Sequence, residues 1–518
     1  MNDFSWLVPL PVVLPLVGAG INLAAAGRTR VQRIVSMTTL TVILLITMVL
    51  LFAADQRGPQ VVQVGGWAPT EGVVLIVDRL SALMVIVSVV VTMAVLRYSI
   101  GQGRSSFDNE SDGHAPLPVF HPTMLVLSAG VSTTFISGDL FHMYVGFEML
   151  LAASFVLLTL GGTEARVRAG VTYVFVSLLS SMLFLIAIAM IYSATGTVNL
   201  AVLADRLDQI PTDTAVVLHV LLILGFCVKA AVFPMSGWLP DSYPTAPAPV
   251  TAVFAGLLTK VGIYALIRTQ TLLFPDGTLN NVLMWAALLT MLVGILGAVT
   301  QDDIKRMLSF TLVSHIGYLL FGIALGSPAG MSAAIFYVLH HITIQTTLFL
   351  VTGLVERVGG TTASSHLGGL AKISPLLGIL FFVPAMNLAG IPPFSGFLGK
   401  VGLMQAGVAE GGWLPMVLVA GSVVTSLLTL YAVARVWGRA FWGAAPRADE
   451  GMTYTPASTG NGRAMGAGVV LPTVSLVAFG LALTFVAGPL FEITDRASLD
   501  LLLREPYLIA VLGEGRPR

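Results

Sequence analysis

Apolar residues in this chain come in long unbroken runs. They show neither the alternation of a half-buried strand nor the three-to-four spacing of a surface helix. Most runs last about twenty residues, the length a helix needs to cross a bilayer. The pattern predicts fourteen spans, at 5–26, 34–53, 79–100, 120–138, 139–160, 169–193, 214–243, 247–270, 280–299, 307–326, 329–355, 373–407, 412–438 and 466–491. The fold expected is therefore that of an all-α polytopic membrane protein with about 14 transmembrane helices. The first run follows Asp3 without a basic n-region, so it is expected to be a retained span and not a cleaved signal peptide.

Three polar stretches interrupt the pattern. Residues 54–78 contain Val64-Gly65-Gly66-Trp67 and then Gly72-Val-Val-Leu-Ile-Val77, which reads as a short β-hairpin. Residues 102–117 are acidic and rich in Gly and Ser, and residues 441–465 are a Gly/Ala/Pro-rich linker to the last span. The expected organisation is an N-terminal unit of three spans with a periplasmic hairpin (1–117), two five-helix units (118–272 and 273–440), and a linker with the last span (441–518).

Composition agrees. The chain is 56% hydrophobic and 10% charged, against about 25% charged in a soluble domain. The lone Cys227 excludes a four-thiolate iron–sulfur cluster and an internal disulfide. Net charge is zero, so no nucleic-acid partner is expected. The basic residues sort by side. With the N-terminus outside, 15 of them fall in inside loops: Arg28, Arg30, Arg33, Arg97, Arg104, Arg166, Arg168, Lys305, Arg306, Arg357, Lys372, Arg435, Arg439, Arg447 and Arg463. Outside loops hold Arg57, Arg79, Arg206 and Arg268, with four more in the C-terminal tail. The positive-inside rule then predicts both termini outside.

One motif occurs twice. Pro234-Met-Ser236-Gly237-Trp238-Leu239 returns 159 residues later as Pro393-Phe-Ser395-Gly396-Phe397-Leu398. The copies lie on the seventh and twelfth spans, both overlong and interrupted by Pro and Gly. Five spans, an odd number, separate them, so the second copy meets the membrane upside down. This predicts two inverted five-helix repeats with helices 7 and 12 broken at Pro234 and at Pro392 and Pro393, an arrangement transporters use to build a conduction path. A chance pair of kinked helices is the plain alternative.

Titratable residues inside the spans are few. The chain has five lysines and 21 arginines; Lys229, Lys260 and Lys400 lie within apolar spans, whereas nearly all loop bases are arginine. Arginine does not release its proton in a protein and a buried lysine does, so a group that loads and unloads protons has to be lysine. Snorkelling to an interface fits less well, because Lys229 and Lys260 have roughly ten apolar residues on one side. Glu148 is the one acid well inside a span and needs a basic partner, for which Lys229 is the candidate. Asp139 is expected at the membrane edge. His315, His340 and His341 titrate in a range that can bridge lysines, although a membrane histidine also serves as a helix–helix hydrogen-bond partner; for His341 the two readings are even. Gln345, one turn beyond, can hold water but carries no charge. No Walker A loop and no dinucleotide fingerprint is present. A haem on His340 and His341 lacks a second pair of ligands. No cofactor and no metal is called for.

These residues carry a resemblance. Gly65-Gly66-Trp67 with Asp78-Arg79-Leu80-Ser81, Phe147-Glu148-Met149-Leu150, Lys229-Ala-Ala-Val-Phe-Pro234, Trp238-Leu239-Pro240-Asp241, Lys260-Val-Gly-Ile-Tyr264, Asp303-Ile-Lys305-Arg306, His340-His341 and Ile391-Pro-Pro393 to Lys400 are similar to the antiporter-like subunits shared by Mrp-type multisubunit cation/proton antiporters and respiratory complex I. The resemblance covers about residues 5–440. It implies that Glu148 and Lys229 form a charge-switching pair, and that Lys260, the histidines and Lys400 continue a midplane proton chain. Gln345 departs from the family, in which a lysine is expected there.

The resemblance further implies a transporter subunit in a bacterial plasma membrane, not an enzyme. Its partners would be the other subunits of a hetero-oligomeric antiporter, membrane lipid, protons, and Na+ (or K+ or Li+). Lysine at 400 and the Gly-Gly-Trp hairpin favour the Mrp branch. The alternative is a proton-pumping membrane subunit of NADH:quinone oxidoreductase or a related membrane hydrogenase. A scaffold with relic charges is disfavoured by the complete set of four.

Overall fold

The computed structural model of the chain describes residues 4–102, 117–160, 162–444 and 465–513. The predicted loop at 102–117, apart from its two ends, and the predicted linker, apart from 441–444 and 465, lie outside the described residues. The helices are α1 (Leu10–Ala24), α2 (Thr29–Arg57), α3 (Arg79–Gly101), α4 (Leu117–Ile136), α5 (Leu140–Thr159), α6 (Glu164–Thr195), α7 (Leu200–Arg206), α8 (Thr212–Ala230), α9 (Trp238–Ser242), α10 (Ala248–Val253), α11 (Thr259–Leu272), α12 (Asn280–Thr300), α13 (Ile304–Leu325), α14 (Pro328–Gly359), α15 (Leu370–Ile373), α16 (Pro375–Ala389), α17 (Ser395–Glu410), α18 (Trp413–Val436), α19 (Ala467–Phe485), α20 (Ala487–Leu503) and α21 (Glu505–Leu512). Between α2 and α3, β1 (Gln60–Gln63) pairs antiparallel with β2 (Val74–Val77), Gln60 opposite Val77, forming the expected hairpin.

Thirteen helical stretches among the described residues are long and apolar enough to cross a membrane, one of them running through α10 and α11. They coincide with thirteen of the fourteen predicted runs. The remaining run, 373–407, is two pieces, α16 and α17, separated at residues 390–394. The run predicted at 214–243 also stops short: α8 ends at Ala230 and residues 231–237 are irregular before α9. Pro234 and Pro393, the two motif prolines, both follow cis peptide bonds. The helices end just ahead of them, where Ala231 and Gly390 take left-handed conformations, and the prolines, lacking an N–H, disfavour resumption of the helix. The last run ends earlier than predicted, at Phe485, because Val486 leaves helical geometry (φ −95°, ψ 13°) ahead of Gly488 and Pro489, and the chain resumes as the separate, more polar α20.

Elements of the two expected five-span units recur at a fixed offset. α6 and α14 are both 32 residues long and start 164 residues apart. In the first unit the Leu140 amide donates to the Val198 carbonyl and the Leu200 amide to the Gly138 carbonyl, each at 2.9 Å. In the second, the Ile304 amide donates to Thr362 and the Ser364 amide to Asp302, again at 2.9 Å. Every one of these positions is displaced by 164. Each clamp ties the loop after the 32-residue helix to the start of the helix two places before it, where Asp139 caps α5 and Asp303 caps α13.

The two long helices differ in surroundings. α14 is fully enclosed, with α3, α13, α16, α17, α19 and α20 all packed on it. α6 exposes Phe175, Met182 and Tyr192, as expected of a helix that faces lipid or a partner protein. The enclosed helices α11, α13 and α14 place Lys260, His315, His340 and His341 away from the outer surface, whereas Glu148 on α5 is half-buried.

Candidate functional site

Each of the three intramembrane lysines stands at a helix irregularity. Lys229 occupies the last turn of α8, immediately before the first break; there Ala231 adopts a left-handed conformation (φ 59°) and ends the helix. Lys260 follows a π-helical segment, Phe254–Leu258, in which the wider turn frees a carbonyl: Lys260 Nζ donates to the Ala255 oxygen at 2.6 Å. Lys400 reaches from α17 back across the second break and donates to the last carbonyls of α16, Leu388 at 3.1 Å and Ala389 at 3.0 Å. A helix C-terminus carries partial negative charge that favours a cation there. All three lysines are buried. No carboxylate lies within ion-pair distance of any of them among the described residues.

Glu148 and Lys229, expected as a pair, do not touch. Glu148 Oε1 and Lys229 Nζ are both buried without a hydrogen-bond partner. Lys229 Nζ lies 6.0 Å from the centre of the Tyr173 ring, and Tyr173 shares a 2.6 Å hydrogen bond with Ser154 of α5. Tyr144, one turn before Glu148, interacts with its carboxylate.

The histidines lie together on α13 and α14. His315 of α13 and His341 of α14 stack with ring centroids 5.1 Å apart. Tyr337 shares a hydrogen bond with His315 Nδ1 at 2.9 Å and lies 5.2 Å from the His340 ring. His340 Nδ1 in turn meets Ser395 Oγ, at the start of α17, at 3.0 Å. Both Lys260 and Lys400 are within electrostatic reach of His315 and His341, and Lys400 Nζ sits 4.9 Å over the Tyr318 ring. Neither nitrogen of His341 has a partner. Gln345 lies off this row, its side-chain amide donating to the Leu308 carbonyl at 2.7 Å. Tyr337, Tyr318 and Tyr173 belong to the arrangement and were not singled out from the sequence, and Ser395 was read there only as part of the repeated motif. Tyr337 carried a usable signal, standing three residues before His340 and hence on the same helix face.

Residues 137–429 match the family model described as NADH:quinone oxidoreductase/Mrp antiporter, transmembrane. The match covers more than half of the chain.

The chain belongs to this family.

Within the NADH:quinone oxidoreductase/Mrp antiporter family, relatives align along almost the full length. An Na+/H+ antiporter subunit of Alkalihalophilus pseudofirmus is 35% identical over 98% of this chain and 99% of its own. Its Bacillus subtilis counterpart is 35% identical over 99% and 100%. Among solved structures, a chain of the Mrp complex from Dietzia sp. DQ12-45-1b superposes with a TM-score of 0.90 at 33% identity, over 99% of this chain and 100% of that one. A chain of the archaeal membrane-bound sulfane sulfur reductase gives 0.85 at 25% identity, over 98% and 100%.

A second polar cluster, which sequence reasoning missed, lies at the hairpin end of α11. Arg268, treated in the sequence as a loop residue, is 1% exposed and pairs with Asp78 at 2.6 Å. It also donates to Tyr264 Oη at 3.1 Å, and Tyr264 donates to the Phe135 carbonyl at 2.6 Å. Nearby, Arg79 and Arg496 converge on Asp55 at 2.7 and 2.9 Å, and Arg79 also pairs with Asp500. This cluster ties the C-terminal α20 to α2 and α3. Unlike the lysines, its arginines face carboxylates.

Proposed function

We propose that this chain is the proton-translocating subunit of a multisubunit monovalent cation/proton antiporter, with Na+ (or K+ or Li+) as the exchanged ion. Protons pass along the membrane midplane through Glu148, Lys229, Lys260, His341, His315, His340 and Lys400. The two matched units act as inverted repeats, with their breaks at Pro234 and at Pro392 and Pro393 beside the path. The N-terminus lies outside a bacterial cell membrane, and the other antiporter subunits and lipid cover the exposed helix faces. The chain is a transporter subunit and has no reaction of its own.

One observation carries this reading: the three lysines inside the spans rest on backbone carbonyls or stand free, while the buried Arg268 rests on a carboxylate. A carboxylate holds a bound proton on its cationic partner by full charge. A carbonyl holds it only by a dipole, so the proton leaves at lower cost. The histidines between Lys260 and Lys400 supply titratable steps where Gln345 offers none. The names of the relatives support a cation/proton antiporter. The likeness to the sulfane sulfur reductase supports a redox-driven pump as second reading, at lower identity.

The test is cation-dependent proton movement in vesicles holding the assembled complex, followed with a pH dye and with subunit co-purification as control. Lys229→Arg and Lys400→Arg keep the charge and lose the ability to release the proton, so both are expected to be nearly as inactive as the alanine variants. Full exchange by both arginine variants overturns the relay.

A further inference from the structure

The two clamps differ at one position. In the second unit Asp303 is fully used: one carboxylate oxygen takes the Arg306 amide at 2.8 Å and the other takes the Thr362 hydroxyl. In the first unit Asp139 takes the His142 amide at 2.6 Å, but Val198 stands where Thr362 stands 164 residues later, and valine has nothing to donate. Asp139 Oδ2 is left buried without a partner, on a side chain only 4% exposed. Asn199, opposite Asp139 in the clamp, is in the same condition. Its oxygen takes the Ala201 and Val202 amides, which fixes the amide orientation, and its Nδ2 has no partner.

Asp139 and Asn199 both line a cavity of about 670 Å³ beneath the hairpin loop, whose outer wall includes Glu71 and Tyr192. Glu71 and Tyr192 are exposed, so the cavity runs from the surface to the clamp. A carboxylate acceptor and an amide donor on two bridged residues suit water, which needs both. They do not suit a bare alkali cation, which the amide N–H would repel. Asp139 precedes α5 and lies outside the spans. Burial pushes its carboxyl up to about 6, and the amides of His142 and Phe141 offset only part of that rise. The other ionisable groups around it are His142 on its own helix, Glu71 in the hairpin loop, Tyr192 on α6, Arg206 on α7, held against the Thr195 carbonyl, and Tyr507 on α21.

We propose that Asp139 is the proton-exchanging carboxyl of a port on the hairpin face, passing protons between its free Oδ2 and water in this cavity. In each exchange the Oδ2–H bond breaks and the proton passes to a water molecule, or the reverse; nothing is oxidised or reduced. The port deepens the relay reading by giving the first unit an opening that the second unit, with Thr362 in place, lacks.

The test uses the assembled complex. An infrared pH titration is expected to show one protonated-carboxyl band titrating near pH 6, lost in Asp139→Asn. Asparagine caps a helix about as well as aspartate, so α5 should survive the change. Val198→Thr, which restores the missing donor, should move the band to lower pH without removing it. In vesicles, exchange by Asp139→Asn should fall by at least roughly tenfold. An unchanged spectrum in Asp139→Asn overturns the port, as does displacement of the band by NaCl at fixed pH, which would make this a cation site. Wild-type exchange in Asp139→Asn while Glu148→Gln is inactive overturns the port and leaves the relay standing. Exchange retained in Glu148→Gln overturns the relay, and the infrared band still reports on Asp139.

Discussion

The rings of His315 and His341 stack 5.1 Å apart across the α13–α14 contact, and Lys260 and Lys400 both lie close enough to act on them. This sets two imidazoles within reach of lysines on different halves of the chain. His341→Ala is expected to slow cation-dependent proton exchange by roughly 100-fold or more, the scale of losing one proton-transfer group. Gln345→Ala should stay within about twofold, since the amide carries no proton in the relay and its bond to Leu308 can be replaced by water. Vesicle assays on assembled complexes compare the two directly.

The seat of Lys400 depends on a residue without a side chain. Gly390 has φ +85°, and a Cβ there would lie 2.8 Å from Lys400 Cδ. Gly390→Ala should therefore strain the backbone and push the lysine off the α16 carbonyls. The expected result is a large loss of exchange with the complex still assembled, read from the same vesicles and from co-purification.

Asp78 and Arg268 form a buried pair. Asp78→Ala leaves the arginine uncompensated and should cost about 3–5 kcal/mol, seen as a lowered melting temperature of the purified complex. Burial pushes the Asp78 carboxyl up, but the Arg268 charge and the bonds from Arg268 and Ser81 outweigh it and hold it below the usual 3.8. Its contribution is thus fully present above that pH and is lost as pH falls through the lower folded value. Melting curves should show no Asp78-dependent change between pH 5 and 8.

Asp139 has the opposite sign. Its carboxyl is raised from 3.8 to about 6, so the folded protein binds the proton more tightly than the unfolded chain does. Stability falls as pH rises through that window and stays lower above it, by at most roughly 3 kcal/mol. Asp139→Asn, which cannot ionise, should melt higher than wild type at pH 8 and equal to it at pH 4, in a differential scanning measurement.

Bilayer physics made the spans legible, because a helix in hydrocarbon must be apolar for about twenty residues whatever it packs against. The breaks were legible from Pro234 and Pro393 for an equally local reason. The deeper repeat was not. The motif spacing is 159, whereas the clamps repeat at 164; four of the five residues are lost because α16 has 15 residues where α8 has 19. Only the pairing of distant loops, Asp139 with Asn199 and Asp303 with Ala363, exposes the true register. The lysines announced themselves by rarity; their carbonyl seats did not, since a π-helical turn at Phe254–Leu258 leaves no residue signature. Arg268 misled for the same reason: sequence position put it in a loop, and only the approach of α3 to α11 supplies Asp78.

The enclosure of α14 has a consequence for biogenesis. Helices from both ends of the chain, α3 on one side and α19 and α20 on the other, rest on a helix that the ribosome delivers only after residue 328. The N-terminal spans therefore enter the bilayer with an inner face uncovered and wait there for a late arrival. A nascent chain arrested before Pro328 should be degraded, however well its early helices insert, whereas one arrested beyond Gly359 has the central post around which the remaining pieces can close.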